Sequence, residues 1–127
     1  MGKKRIKFGN ALLCEYATQG NRNKHMLINV YSGNVRFDAL PADFSCGIYV
    51  ELPAQDLKTV DVLVRLDREE ILRAAVEAEA GKDGTIVIRM LAMEIDKPAT
   101  LTVSLEAPDK VSTTVISKRL YVTDSNA

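Results

Sequence analysis

Residues 44–52 read FSCGIYVEL, a stretch in which every second side chain is apolar. A period of two is typical of a β-strand with one buried face, and Pro53, directly after it, favours an end to the strand. We therefore predict a half-buried strand here. The apolar positions on its predicted inner face are Phe44, Cys46, Ile48, Val50 and Leu52.

Similar patterns recur along the chain between short polar stretches. A slip in the alternation near Ile116 and Ser117 predicts a β-bulge, and residues 35–38 read as a short extension before Pro41. Further strands are predicted within residues 6–17, 25–31, 59–67, 85–93, 100–106 and 111–122.

Residues 68–80 are ambiguous between strand and helix. They are rich in Glu, Ala, Leu and Arg, which are strong helix formers. Apolar residues nevertheless occur at every second position from Leu72 to Ala80, although a helical stripe can also be drawn. We favour a strand, because residues 81–84 (GKDG) resemble a hairpin loop leading into the next strand.

About eight short strands and no required helix predict an all-β fold. We expect an antiparallel β-sandwich, immunoglobulin-like or C2-like in layout. The 127 residues suit one such domain over residues 6–122, with a basic tip at 1–5 and a tail at 123–127. No apolar run approaches the ~20 residues of a membrane span, and no secretion signal is recognisable, so we expect a cytoplasmic protein.

The charge distribution disfavours nucleic-acid binding by the folded body. The chain has 17 basic and 17 acidic residues, but four of the basic ones, Lys3, Lys4, Arg5 and Lys7, lie in the first seven positions. The remainder carries 13 basic and 17 acidic residues, whereas binding to phosphate needs a basic surface. Weak binding of an anionic surface or nucleic acid through the basic tip stays open as an alternative function.

The cysteines and the one histidine do not form a recognisable site. Cys14 and Cys46 lack a CxxC pair or other ligands at metal-binding spacing, and we interpret both as buried free thiols. No nucleophile motif surrounds His25, and no acid is placed to orient it. We therefore predict no catalytic residue, cofactor or metal, with a small enzyme using Cys14 or His25 as the alternative.

Five apolar residues fall on the predicted outward faces of their strands and form a candidate partner face. Exposed tyrosine and methionine are useful contact residues in protein interfaces. The competing interpretation is that the strand within 85–93 is central and covered on both sides, or that these are single exposed apolar residues of the kind common on protein surfaces. We predict a non-enzymatic interaction or accessory module that binds a protein partner or self-assembles. The candidate residues are Tyr49, Leu63, Val87, Leu91 and Met93.

The order of elements resembles an uncharacterised family of small bacterial and phage β-sandwich proteins. NKHMLINVY at residues 23–31 is similar to the family's "GKLxLxGvf"-like strand, and PATL at 98–101 and LYV at 120–122 correspond to its closing strands. The sequence departs from that pattern at Asn23 and Ala99, where the family has glycines, and at Thr100 or Leu101, where it has tyrosine. The resemblance implies a β-sandwich and no catalytic residues.

Overall fold

The computed structural model describes residues 5–20 and 24–122, which form nine β-strands and no helix. The strands are β1 (Ala11–Gln19), β2 (His25–Val30), β3 (Val35–Phe37), β4 (Ala42–Leu52), β5 (Thr59–Leu66), β6 (Glu69–Glu77), β7 (Gly84–Ile95), β8 (Ala99–Glu106) and β9 (Ser112–Val122). No helix within these ranges has the length and apolar character needed to cross a membrane.

The strands form two sheets that pack against each other. The first sheet has the order β2-β1-β4-β7, and the second has the order β3-β9-β8-β5-β6. Neighbouring strands are antiparallel except for β3 and β9, which are parallel. The all-β, two-sheet prediction is confirmed.

The core lies between the sheets and is built from the alternating residues that the sequence pattern indicates. Strand β4 directs Phe44, Cys46, Ile48 and Val50 inward, all with 4% exposure or less. Strands β5 and β8 complete the core with fully buried valines and leucines. Burial of each such aliphatic side chain contributes about 1.5–3 kcal/mol, so the inner faces determine how the sheets pack.

Residues 68–80 contain a strand, as favoured above, but the predicted hairpin with the next strand is wrong. Strand β6 pairs with β5 in the second sheet, while β7 belongs to the first sheet. The connection between them is held by other backbone bonds: the Ala78 N–H donates to the Lys58 carbonyl and the Gly81 N–H to the Gln55 carbonyl. Residues 78–83 therefore pass from one sheet to the other.

The predicted number of strands is corrected from about eight to nine. Residues 35–37 are not an extension of β2, because they move to the second sheet and pair with Leu120–Val122. The predicted bulge in the last strand is present one residue earlier than expected. The register shifts between Val103–Ile116 and Ser104–Thr114, which leaves Val115 as the extra residue.

Candidate protein-interaction surface

The five residues of the predicted partner face do not share one surface. Leu63 lies on the outer side of the second sheet but is only 1% exposed. Its register neighbour Arg73 extends across this side, with its guanidinium 3.1 Å from Asp61 and 3.5 Å from Glu106. The long arginine stem can cover apolar surface while its charged end stays in water. The prediction that Leu63 is exposed is wrong.

Leu91 and Met93 point inward, also contrary to the prediction. The register of β4 with β7 shifts between Cys46–Leu91 and Ile48–Ile88, so one extra residue of β7 is accommodated there. A slip of one residue exchanges the two faces of a strand. Beyond the shift, Leu91 and Met93 consequently pack against the core.

Tyr49 and Val87 do lie side by side on the outer face of the first sheet, but the chain itself covers this face. They are register partners in β4 and β7, and both are half-buried. The His25 ring packs edge-on against Tyr49, with ring centroids 5.3 Å apart. His25 begins β2, so the hairpin of β1 and β2 folds back over the sheet.

Gly47 allows the hairpin to cross the sheet. A Cβ atom at this position would lie 2.7 Å from the Ala17 nitrogen and 2.8 Å from the Arg89 carbonyl oxygen. Both neighbours are backbone atoms and cannot rotate away, so only a residue without a side chain fits. Strand β1 therefore pairs with β4 up to Cys14–Gly47 and then passes over it.

The outer side of the hairpin carries exposed apolar residues. Met26, Ile28 and Val30 are 58%, 42% and 42% exposed. The alternate residues His25 and Leu27 are half-buried and lie on the face of the hairpin that is turned toward the sheet. Tyr16 of β1 pairs directly with Ile28 and shares its face. We call Tyr16, Met26, Ile28 and Val30 the hairpin patch.

Strand β2 differs from the other edge strands in lacking charge. The chain has no Asp, Glu, Lys or Arg between Lys24 and Arg36. By contrast, the edge strand β6 carries four charged residues, β7 carries Arg89 and Glu94, and β3 has only three residues. Charges and shortness normally protect sheet edges from pairing with other chains, and β2 has neither a charge nor a proline.

The hairpin patch continues into an open aromatic pocket. Tyr16 lines this pocket of about 560 Å³ together with Tyr31, Phe37 and Phe44. The Phe44 ring lies 5.7 Å, centroid to centroid, from both Tyr31 and Phe37. We call these four residues the aromatic pocket. Its rim is charged and carries Glu15, Arg36 and Asp43.

Carboxylates cluster at the rim beside Asp43. Asp43 on β4 is the register partner of Glu94 on β7. The pKa of Glu94 is raised, chiefly by a hydrogen bond with Asp96 and the charge of Asp96, and less by burial and the charge of Asp43. We call Asp43, Glu94 and Asp96 the acidic corner. None of the three forms a salt bridge with a Lys or Arg of the described ranges 5–20 and 24–122.

The cysteines are buried free thiols, as predicted. Burial raises the pKa of Cys46 to about 12 and also raises the pKa of Cys14, whose thiol lies 3.5 Å from the Gly47 carbonyl oxygen. Cys46 faces the core, whereas Cys14 is paired with Gly47, the next residue of β4, and so faces the other side of the sheet. A disulfide between them is incompatible with this arrangement.

The residues of the alternative hypotheses do not come together. The buried Nδ1 of His25 has no hydrogen-bond partner, and neither thiol bonds to His25 within the described residues. The described chain also contains no group of three His, Cys, Asp or Glu side chains arranged to hold a metal ion. Lys3 and Lys4 of the basic tip lie outside the described residues, and Ile6 next to it is part of the core.

A scan against models of known protein families and a search of curated proteins found no match to this chain. The resemblance to the bacterial and phage family therefore stays a prediction.

Sequence reasoning missed the hairpin patch because residues 25–31 read as an ordinary alternating strand. The signal that could have revealed it is the absence of charge over residues 25–35. In a chain with 27% charged residues, an uncharged run of this length in a predicted strand favours an interaction surface over an ordinary solvated one.

Proposed function

We propose that this protein is a non-enzymatic interaction module whose binding surface is the hairpin patch together with the aromatic pocket. The observation that carries the proposal is an uncharged edge strand with three exposed apolar side chains, joined through Tyr16 to the pocket. Protein interfaces combine an apolar centre rich in aromatic residues and methionine with a polar rim. The patch supplies the centre, and Glu15, Arg36 and Asp43 supply the rim.

Strand addition is the binding mode that suits β2. An edge strand offers unpaired backbone groups to an extended segment of another chain, and alternate side chains then add contacts. The partner is a protein segment or a second copy of this chain, and its strand would extend the first sheet beyond β2.

We also infer an immunoglobulin-like layout. In the variable-type immunoglobulin sandwich, one sheet has strands G, F, C and C′ as neighbours, and the order β9-β8-β5-β6 is equivalent to it. The order β1-β4-β7 is then equivalent to strands A, B and E. Cys46 on β4 has no cysteine on β8 to pair with, so the disulfide of antibody domains has no counterpart here. A C2-like layout is the alternative.

Two methionines of nearly equal exposure provide a matched test of the binding surface. Met26 in the hairpin patch is 58% exposed and Met90 on β7 is 56% exposed. We would compare wild type, Met26→Lys and Met90→Lys by sedimentation for self-association and by quantitative affinity capture for a partner.

The proposal expects an associated species, either copies of the chain or a partner, that Met26→Lys abolishes and Met90→Lys retains. A charge placed in the centre of an interface is strongly unfavourable because it loses its hydration. Association that survives Met26→Lys, or that both variants lose equally, would contradict the assigned surface, as would a wild type without any associated species. Circular dichroism of both variants would establish that they remain folded.

A further inference from the structure

The charges around the aromatic pocket define the chemistry of its partner. We propose that the partner segment carries lysine or arginine beside an apolar anchor, so that the anchor enters the aromatic pocket and the basic residues face the acidic corner. This inference rests on the proposed function, because it names the kind of segment that the same surface binds.

The anchor is argued from the pocket. Tyr16, Tyr31, Phe37 and Phe44 are among the residues that line it, and none of the four carries a formal charge. Phe44 is only 4% exposed and belongs to the core, so the half-buried Tyr16, Tyr31 and Phe37 are the aromatic residues that a partner can reach. The spacing of 5.7 Å between neighbouring rings is that of packed aromatic pairs. An aromatic or large aliphatic side chain on the partner would extend this stack, as buried anchors do at the centres of interfaces.

The basic residues are argued from charge complementarity. The pocket rim and the acidic corner together hold four carboxylates, on Glu15, Asp43, Glu94 and Asp96, against one guanidinium, on Arg36. Glu15 accepts a hydrogen bond at 3.0 Å from the Asn29 amide, which carries no charge, and it forms no salt bridge with a Lys or Arg of the described ranges. A cation at this rim would relieve the mutual repulsion, whereas an acidic segment would increase it.

Four other carboxylates of the described chain lie within 4 Å of a basic side chain. Asp61, Glu70 and Glu106 surround the Arg73 guanidinium, and Glu79 is 3.0 Å from the Lys82 ammonium. Within residues 5–20 and 24–122 the acidic corner forms no salt bridge with a Lys or Arg, and its member Asp43 also lines the aromatic pocket. The two features together therefore point to a basic segment with an apolar anchor.

The test uses a short probe peptide, acetyl-Lys-Lys-Phe-Lys-Lys-amide, titrated into the full ¹⁵N-labelled chain and followed by NMR. We expect shift changes concentrated at the amides of the aromatic pocket and the acidic corner. The peptides with Phe replaced by Ala, or with the four Lys replaced by Glu, should bind at least several-fold more weakly. Raising the salt to about 0.5 M should also weaken binding, because exposed charges are then screened.

Variants of the protein separate local charge from total charge. The triple variant Asp43→Asn, Glu94→Gln and Asp96→Asn removes the acidic corner and should weaken binding of the probe roughly tenfold. A control that removes three carboxylates on and just after the edge strand β6 changes the net charge equally and should bind as wild type does. The control substitutions are Glu69→Gln, Glu77→Gln and Glu79→Gln.

Absence of binding, shift changes elsewhere on the chain, or equal binding of the acidic peptide would overturn the inference. So would equal effects of the two triple variants. These results leave the proposed function to its own test, because association through the hairpin patch is measured by the comparison of Met26→Lys with Met90→Lys. A partner lost on Met26→Lys but unaffected by removal of the acidic corner would retain the function and reject the basic segment.

Discussion

Replacement of Gly47 by alanine should detach the hairpin from the sheet. The added Cβ would approach the Ala17 nitrogen to 2.7 Å, the Arg89 carbonyl oxygen to 2.8 Å and the Tyr16 carbonyl carbon to 3.0 Å. Real Cβ atoms do not approach other heavy atoms to under 3.0 Å. Two strands on different sides of Gly47 would both have to move, since all three contacts are with backbone atoms.

The expected cost follows from this geometry. Adding a methyl group to a well-packed site typically destabilises a protein by 1–3 kcal/mol, and backbone contacts on two sides place Gly47→Ala at the upper end, about 3 kcal/mol. The smaller flexibility of alanine in the unfolded chain offsets about 0.4–1 kcal/mol of this cost, which leaves a net loss of about 2–2.6 kcal/mol. With a urea dependence of about 2 kcal/mol per molar, the midpoint of unfolding would fall by roughly 1–1.3 M.

Gly33→Ala is the matched control, because a Cβ at Gly33 would meet no atom within 4 Å. It should leave the free energy of unfolding unchanged or raise it by up to about 1 kcal/mol. Urea unfolding followed by circular dichroism measures both variants, and the NMR shifts of the His25 ring report its contact with Tyr49. Equal stability of the two variants, within about 0.5 kcal/mol, or an undisturbed His25 signal in Gly47→Ala, would refute the close crossing.

Two further predictions concern ionisable groups. Cys14 and Cys46 should not react with an aromatic disulfide reagent in the native protein at neutral pH, and both should react fully in urea. Burial raises the pKa of both thiols and keeps the reagent away from them. Rapid labelling without denaturant would contradict their buried placement. Asp96 raises the pKa of Glu94 in the folded protein above the value of a free glutamate. Stability is therefore lost as the pH rises from the ordinary pKa of glutamate through the raised pKa of Glu94, and it is unaffected below the ordinary pKa. Asp96→Asn should therefore raise the unfolding temperature at neutral pH and have little effect in acid, and an equal effect at both pH values would rule out charge repulsion as the cause.

Local patterns predicted most of the strands because the information for a strand lies in the alternation of its own residues. Strand β6 is an example: its helix-forming residues follow a period of two, and pairing with β5 overrides their propensity. The sheet to which a strand belongs is not local information. The chain after β6 contains a good turn sequence, but bonds to Lys58 and Gln55 direct it away from a hairpin.

The candidate surface was less predictable because each error arose from a contact distant in sequence. The bulge opposite Gly47 exchanges the faces of β7, so Leu91 and Met93 enter the core. Leu63 is buried although its position in the alternation is outward, because Arg73, ten residues later, lies across the same side of the sheet. Neither effect is visible from the residues of the strand concerned.

The composition of β2 itself argues for an additional covering surface. On one face of its sequence HMLINV every residue is apolar: Met26, Ile28 and Val30. The other face mixes the apolar Leu27 with the polar His25 and Asn29. The fold covers one face, where His25 packs on Tyr49, and leaves Met26, Ile28 and Val30 exposed on the other. A hairpin that served only to shield Tyr49 and Val87 would be expected to carry polar residues on its outer side, as solvated strands do. The hairpin instead covers Tyr49 and Val87 and exposes an uncharged apolar surface of its own at a sheet edge. This surface supports the proposal that a second polypeptide covers the outer side of the hairpin.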